Sequence, residues 1–98
     1  MLDVRQTAEF TDWFAKLRDV KARAAILARI RRFALGNPGD VKLVGDGVSE
    51  MRINHGPGYR VYFMRKGAVV IVLLCGGDKG SQDRDIARAK RLAAKDTP

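Results

Sequence analysis

Apolar residues near the start of the chain repeat with the period of an α-helix. Phe10, Trp13, Phe14 and Leu17 occur at i, i+3, i+4 and i+7, a spacing that places side chains on one helix face. Thr7 precedes this run and is a suitable N-cap. The pattern predicts a helix after Thr7 whose aromatic face packs on a core rather than on a cofactor.

A second helix is predicted after Asp19. It ends at the turn residues 36–39, where glycine accepts a left-handed cap and proline cannot continue the helix. Two successive helices suggest a helical hairpin. Its basic residues are typical of a solvated surface, although a binding surface fits them too; the apolar face of the second helix consists of Ile26, Leu27, Ile30, Phe33 and Ala34.

From Asp40 the pattern changes to short strands separated by glycine-containing breaks. The last strand is apolar on both faces, which favours an interior position or cover on both sides. With a short opening strand, residues 2–6, the sequence predicts one α+β domain, residues 1–98, with a mainly antiparallel sheet of four to five strands. The other predicted strands are Val41–Val44, Glu50–His55, Tyr59–Arg65 and Ala68–Cys75.

Strand parity divides the central hairpin into two faces. Because side chains alternate along a strand, one face is expected to belong to the core and the other to face solvent. The predicted core face consists of Met51, Ile53, Val61 and Phe63. The predicted solvent face consists of Arg52, Asn54, Arg60 and Tyr62.

A final helix is predicted after Ser81, which can cap it. Basic residues recur along one side of this helix at i, i+4, i+7 and i+11, namely Arg84, Arg88, Arg91 and Lys95. Its apolar side is thin, because it consists of Ile86, Ala89 and Ala93. We therefore expect this helix to be loosely held.

Composition narrows the class of protein. The 98 residues contain 19 Lys and Arg against 11 Asp and Glu, a formal net charge of +8. Such an excess favours a polyanionic partner, nucleic acid or ribosome above all, although solubility alone also explains basic surfaces. The N-terminus lacks the apolar stretch of a signal peptide, and no apolar run approaches the ~20 residues that span a bilayer. We expect a cytoplasmic protein without a membrane partner.

Two further features of the sequence argue against a disulfide framework, a zinc site and a P-loop. One cysteine and one histidine cannot form a disulfide framework or a usual zinc site, so we expect no metal and no cofactor. The segment 76–81 runs from strand to helix and contains Lys79, but its glycine spacing is not that of a P-loop.

The solvent face of the hairpin carries the most suggestive chemistry. Arginine binds phosphate bidentately and stabilises charge that develops during phosphodiester cleavage, and tyrosine can stack on a base or donate a proton. Arg52 and Arg60 are therefore candidate catalytic residues with Tyr62, and Lys79 can add a third cation. His55 is the one side chain with an ordinary pKa near neutrality. A plain polar sheet face and a turn-stabilising histidine are the simpler alternatives.

Several strings of residues resemble a known family. These are 50–53, Glu-Met-Arg-Ile, then 56–63, Gly-Pro-Gly-Tyr-Arg-Val-Tyr-Phe, and 73–79, Leu-Leu-Cys-Gly-Gly-Asp-Lys, followed by Gln82 and Asp85. They resemble the RelE/ParE toxin superfamily, in particular its HigB-like addiction-module killer branch, over nearly the whole chain.

This resemblance implies a small α+β toxin with a twisted sheet and a cognate antitoxin, expected to be a HigA-like helix-turn-helix protein. Members that cut mRNA do so on the ribosome, without metal, by driving the ribose 2′-OH onto the adjacent phosphate. By position, Arg60, Arg52 and Lys79 would act on that phosphate, with proton transfer by His55, Tyr59 or Tyr62. The expected RNA-binding residues are Asn54, Tyr59, Arg84, Arg88 and Arg91.

One feature departs from the resemblance. RelE places a tyrosine near its C-terminus, and HigB-type enzymes often place histidine or tyrosine there, but neither follows Tyr62 in this chain. Proton transfer would then fall to the central hairpin, Lys79 or Asp83. A ParE-like inhibitor that binds DNA gyrase needs no such group and is the alternative function, as is a non-catalytic module that binds nucleic acid.

Overall fold

A computed structural model describes residues 1–95 of the chain. It has an α+β fold with a five-stranded sheet, as predicted. The elements are β1 (Asp3–Gln6), α1 (Ala8–Lys16), α2 (Val20–Ala34), β2 (Val41–Gly45), β3 (Val48–Ile53), β4 (Tyr59–Lys66), β5 (Val70–Gly77), a 3₁₀ turn (Lys79–Ser81) and α3 (Gln82–Lys95).

The starts of α1 and α2 agree with the sequence prediction. The Thr7 hydroxyl accepts a hydrogen bond from the Phe10 N–H at 3.1 Å, and the Asp19 carboxylate accepts one from the Ala22 N–H at 3.1 Å. Thr7 also donates to the carbonyl of Leu74 at 2.6 Å. Both helices therefore begin where a side-chain oxygen satisfies a free backbone N–H.

The strand order in the sheet is β1-β5-β4-β3-β2. β1 is parallel to β5, and the other neighbours are antiparallel. β5 has a partner strand on each edge and is buried on both faces, as its apolar sequence predicts. The predicted bounds of β3 and β5 are wrong by two residues, because pairing shifts β3 towards the β2 hairpin and extends β5 through Gly77.

The predicted core face of the hairpin is confirmed. Met51, Ile53, Val61 and Phe63 are buried against the first two helices, which contribute Phe10, Ile26 and Phe33. Trp13 and Phe14 pack at the margin of this cluster. The aromatic stripe of α1 therefore belongs to the core.

Much of the opposite face of the sheet is covered. α3 lies across it and forms a second buried cluster that includes Ala89, Ala93, Tyr62 and Leu74. Alanine side chains let the helix backbone lie close to the sheet, so a thin apolar side suffices for packing. The expectation of a solvent-facing sheet surface is therefore wrong at Tyr62, whereas Arg52, Asn54 and Arg60 at the end of the sheet are at least partly exposed. The expectation of a loosely held last helix is wrong.

None of the helices in the described part of the chain is long and apolar enough to cross a membrane.

Candidate functional site

Arg52 and Arg60 occupy directly opposite positions in the antiparallel β3–β4 pair. The two strands are joined by residues 54–58, where Gly56 and Gly58 have φ values of 55° and 79°. The Gly58 N–H donates to the carbonyl of His55 at 3.1 Å and closes the turn. A short, fixed turn thus holds two arginine residues side by side at one end of the sheet.

Two like charges in opposite positions repel each other, and each arginine has its own carboxylate. Arg52 donates from Nη2 and Nε to Asp40 Oδ1 at 2.8 and 3.2 Å. This hydrogen bond lowers the pKa of Asp40 and raises the pKa of Arg52. Arg60 Nε lies 3.8 Å from Oε2 of Glu50, a carboxylate that is 1% exposed.

Asp40 is held in place by α2. Arg29 donates from Nη2 to the carbonyl oxygens of Pro38 and Asp40 at 3.1 and 3.2 Å, and from Nη1 to the carbonyl of Arg52. The Arg52 N–H donates to the carbonyl of Asp40 at 2.9 Å. Partial burial lowers the pKa of Arg29. One arginine thus ties the segment before β2 to the edge of β3.

Lys79 approaches the same place from the end of β5. A Cβ placed on Gly58 would lie 3.5 Å from Lys79 Cβ and 3.8 Å from Arg60 Nη1, so the lysine and the arginine flank this glycine. Lys79 is exposed and makes no ion pair within residues 1–95. Its ammonium group is therefore available to a ligand.

The Gly76-Gly77 pair explains how Lys79 is placed. A Cβ on Gly76 would lie 2.3 Å from Trp13 Cε3, and a Cβ on Gly77 would lie 1.8 Å from Asp85 Oδ2. Only glycine permits α1 and α3 to approach β5 this closely. Asp78 then caps the 3₁₀ turn by accepting from the Gly80 N–H at 2.8 Å.

These side chains border a cleft of about 520 Å³. Its charged lining consists of three cations and one carboxylate, namely Arg52, Arg60, Lys79 and Asp40. Asn54 and the Gly56–Gly58 turn complete one wall. A cleft with this lining is suited to a phosphodiester, because guanidinium and ammonium groups can surround its oxygens.

The structure brings some predicted residues to this cleft and places others elsewhere. Arg52, Arg60, Lys79 and Asn54 line it, whereas His55 lies against α2 with Nε2 3.2 Å from Asp19 Oδ2. The hydrogen bond to Ala22 and the one to His55 lower the pKa of Asp19. In this structure His55 therefore contacts the N-cap residue of α2 and does not line the cleft.

The predicted solvent exposure of Tyr62 is wrong. Its side chain is 0% exposed beneath α3, and its hydroxyl has no hydrogen-bond partner among the described residues. Burial, together with the nearby charge of Glu50, raises the pKa of the phenol. Cys75 is also buried, as predicted, and burial raises the pKa of its thiol to about 12.

The remaining predicted RNA-binding residues lie around a second, smaller groove or on α3. Tyr59, Arg84 and Arg88 line the groove of about 270 Å³ beside Trp13. Arg88 is ion-paired with Glu9 at 3.3 Å and Asp85 at 3.0 Å. Arg84 and Arg91 are exposed.

Sequence reasoning missed the acidic residues around the site. Glu50 and Asp85 are both 1% exposed. Glu50 lies on the same face of β3 as Arg52, two residues earlier, but its burial depends on α3. Among residues 1–95, no group of three or more potential metal ligands lies together.

Comparison with known proteins identifies the family. The profile of the phage-derived Gp49-like family (DUF891) matches residues 12–95. A Haemophilus influenzae Rd protein described as uncharacterized is 49% identical over 92 residues, which cover 94% of this chain and 93% of that protein. No solved structure matches significantly.

The chain therefore belongs to the Gp49-like family, a family of RelE/HigB-like toxins of toxin–antitoxin systems. An antitoxin partner follows from this membership.

Proposed function

We propose that this toxin is a ribosome-dependent, metal-independent mRNA endonuclease that acts in the cytoplasm and is held inactive by a HigA-like antitoxin. The observation that carries the proposal is the convergence of Arg52, Arg60 and Lys79 on one cleft. Three cations that line one cleft exceed what solubility requires, and they match the charge of a phosphodiester as it is cleaved.

In the proposed reaction the ribose 2′-oxygen attacks the adjacent phosphorus. The new O2′–P bond forms as the P–O5′ bond breaks, which leaves a 2′,3′-cyclic phosphate and a 5′-hydroxyl. Arg60 and Arg52 bind the non-bridging oxygens, whose negative charge grows in the transition state. Their preset positions contribute to the rate because no reorientation is needed during the reaction.

Lys79 is the proposed proton donor. Its ammonium group is exposed at the cleft and free of ion pairs within the described residues, so it can protonate the leaving 5′-oxygen. The 2′-hydroxyl loses its proton to water. His55 and Tyr62 have no part in this step, since one pairs with Asp19 and the other is buried.

The ribosome is the proposed site of action because it presents mRNA within a polyanionic surface. The net charge of +8 favours such a surface through counterion release. Exposed arginines of α3, Arg84 and Arg91, extend the cationic surface beyond the cleft.

Mapping transcript 5′ ends after brief induction tests this function. Wild-type toxin should create new 5′ ends within translated messages, and Arg60→Ala should abolish both these ends and growth arrest. Arg18→Ala, which removes an exposed arginine between α1 and α2, is the matched control and should cut normally. Intact transcripts with blocked DNA supercoiling would instead indicate a ParE-like gyrase inhibitor, and salt-sensitive RNA binding without toxicity would indicate a plain binding module.

A further inference from the structure

Glu50 is a buried carboxylate directly behind the cleft. It lies on β3 beneath the start of α3 and is 1% exposed. Gln82, the first residue of α3, donates from Nε2 to Glu50 Oε2 at 3.1 Å and to Oε1 at 3.4 Å. The amide therefore holds the carboxylate in a fixed orientation.

Arg60 connects this buried carboxylate to the cleft. Its side chain is 12% exposed, and Nε lies 3.8 Å from Glu50 Oε2. Nε is fully buried and makes no hydrogen bond in the described part of the chain, whereas Nη1 lies towards Gly58 in the cleft wall. One end of the guanidinium faces Glu50, and the other end faces the space where a phosphate would bind.

Packing alone does not explain why a carboxylate is buried at position 50. Burying a charge is unfavourable unless partners compensate for it, and an apolar residue often stabilises a core equally well. Arg60 also faces the like charge of Arg52 across the strand pair. The negative charge of Glu50 offsets this repulsion at Arg60.

We propose that Glu50, held by Gln82, is a positioning residue that fixes the Arg60 guanidinium for the scissile phosphate. The role in cleavage rests on the proposed endonuclease function. The fixing of Arg60 is a property of the free protein and can be measured without any RNA.

The first measurement is the exchange of the Arg60 Nε–H proton with water, observed by NMR in the free protein. Glu50→Gln keeps the shape of the side chain and removes its charge, and it should speed exchange by about tenfold or more as the guanidinium becomes mobile. Asp12→Asn, which removes an exposed carboxylate on α1, should leave exchange unchanged. If Glu50→Gln does not fold, Gln82→Ala should produce a smaller change in the same direction.

The second measurement is single-turnover cleavage of mRNA on programmed ribosomes. Glu50→Gln should lower the cleavage rate by about tenfold or more and change toxin affinity for the ribosome by less than about twofold. In an Arg60→Lys background the same substitution should have almost no further effect, since it acts through Arg60. A purely structural role would reduce the rate by the same factor in both backgrounds.

Unchanged Nε–H exchange in Glu50→Gln, or a wild-type cleavage rate, would overturn the positioning role. If the wild-type protein cuts no mRNA, the endonuclease function fails, and the exchange measurement alone decides whether Glu50 fixes Arg60.

Discussion

Arg52 and Arg60 face each other across β3 and β4, and each is balanced by a different carboxylate. Asp40 bonds to Arg52 in an exposed position, while Glu50 lies behind Arg60 in a buried one. Opposed like charges are unfavourable in a sheet by roughly 0.2–1 kcal/mol. Both arginines line the same cleft.

Removing the hydroxyl of Tyr62 should not impair the toxin. The hydroxyl is buried without a partner within residues 1–95, and leaving a buried polar group unpaired is unfavourable. Tyr62→Phe should leave the free energy of unfolding equal or raise it by up to about 1 kcal/mol, with cleavage unchanged. Urea denaturation and a cleavage assay check this. Loss of cleavage in a stable variant would restore Tyr62 as a catalytic residue.

Substitution of Lys79 should slow cleavage, whereas substitution of His55 should have little effect. Lys79→Gln should slow cleavage by about a hundredfold and change stability by less than about 0.5 kcal/mol, because the side chain is exposed and unpaired among the described residues. His55→Gln should cut within about threefold of wild type. Single-turnover cleavage rates of the two variants test which residue transfers the proton. The reverse ranking would show that the histidine, rather than the lysine, transfers the proton.

Asp40 should oppose RNA binding, because its carboxylate accepts a hydrogen bond from the Arg52 guanidinium that would otherwise bind the phosphate. Asp40→Asn should tighten binding of an RNA with a 2′-deoxy cleavage position by about threefold to tenfold. Fluorescence anisotropy measures this affinity. Asp12→Asn changes the net charge equally and serves as the control, so equal gains in both variants would mean that overall charge is responsible.

Acid stability should depend on Asp19. Its folded-state pKa lies below the ordinary value of 3.8, through hydrogen bonds from Ala22 and His55. A lowered folded pKa stabilises the protein above the unfolded pKa, and this stability is lost as the pH falls through the folded value. Asp19→Asn keeps an N-cap acceptor and should flatten the decline in stability below about pH 4. Urea denaturation from pH 2 to 7 tests this, and identical slopes for both proteins would refute it.

The sequence allowed much of the fold to be predicted, because its signals are local. Thr7 and Asp19 mark helix starts, and alternation in β3 and β4 separates Met51 and Ile53 from Arg52. The cover on the second sheet face could not be predicted, since Ala89 and Ala93 are equally common on exposed helices. Their close packing on the sheet is a tertiary effect.

In the candidate site, too, local sequence signals could be predicted and tertiary contacts could not. Arg52, Arg60 and Lys79 were found as candidates because parity and the strand ends place them together. Asp40 was missed because it is 12 residues from Arg52 and lies in a segment that contacts with Arg29 and Arg52 fix. Glu50 was missed because its burial requires α3.

The chemistry of the cut ends tests the central claim most directly. Purified toxin should cleave mRNA on programmed ribosomes and leave 2′,3′-cyclic phosphate and 5′-hydroxyl ends, and Arg60→Ala should leave the message intact. Fragments with 3′-hydroxyl and 5′-phosphate ends, or uncut mRNA with wild-type toxin, would contradict cleavage by 2′-oxygen attack in the Arg52–Arg60–Lys79 cleft.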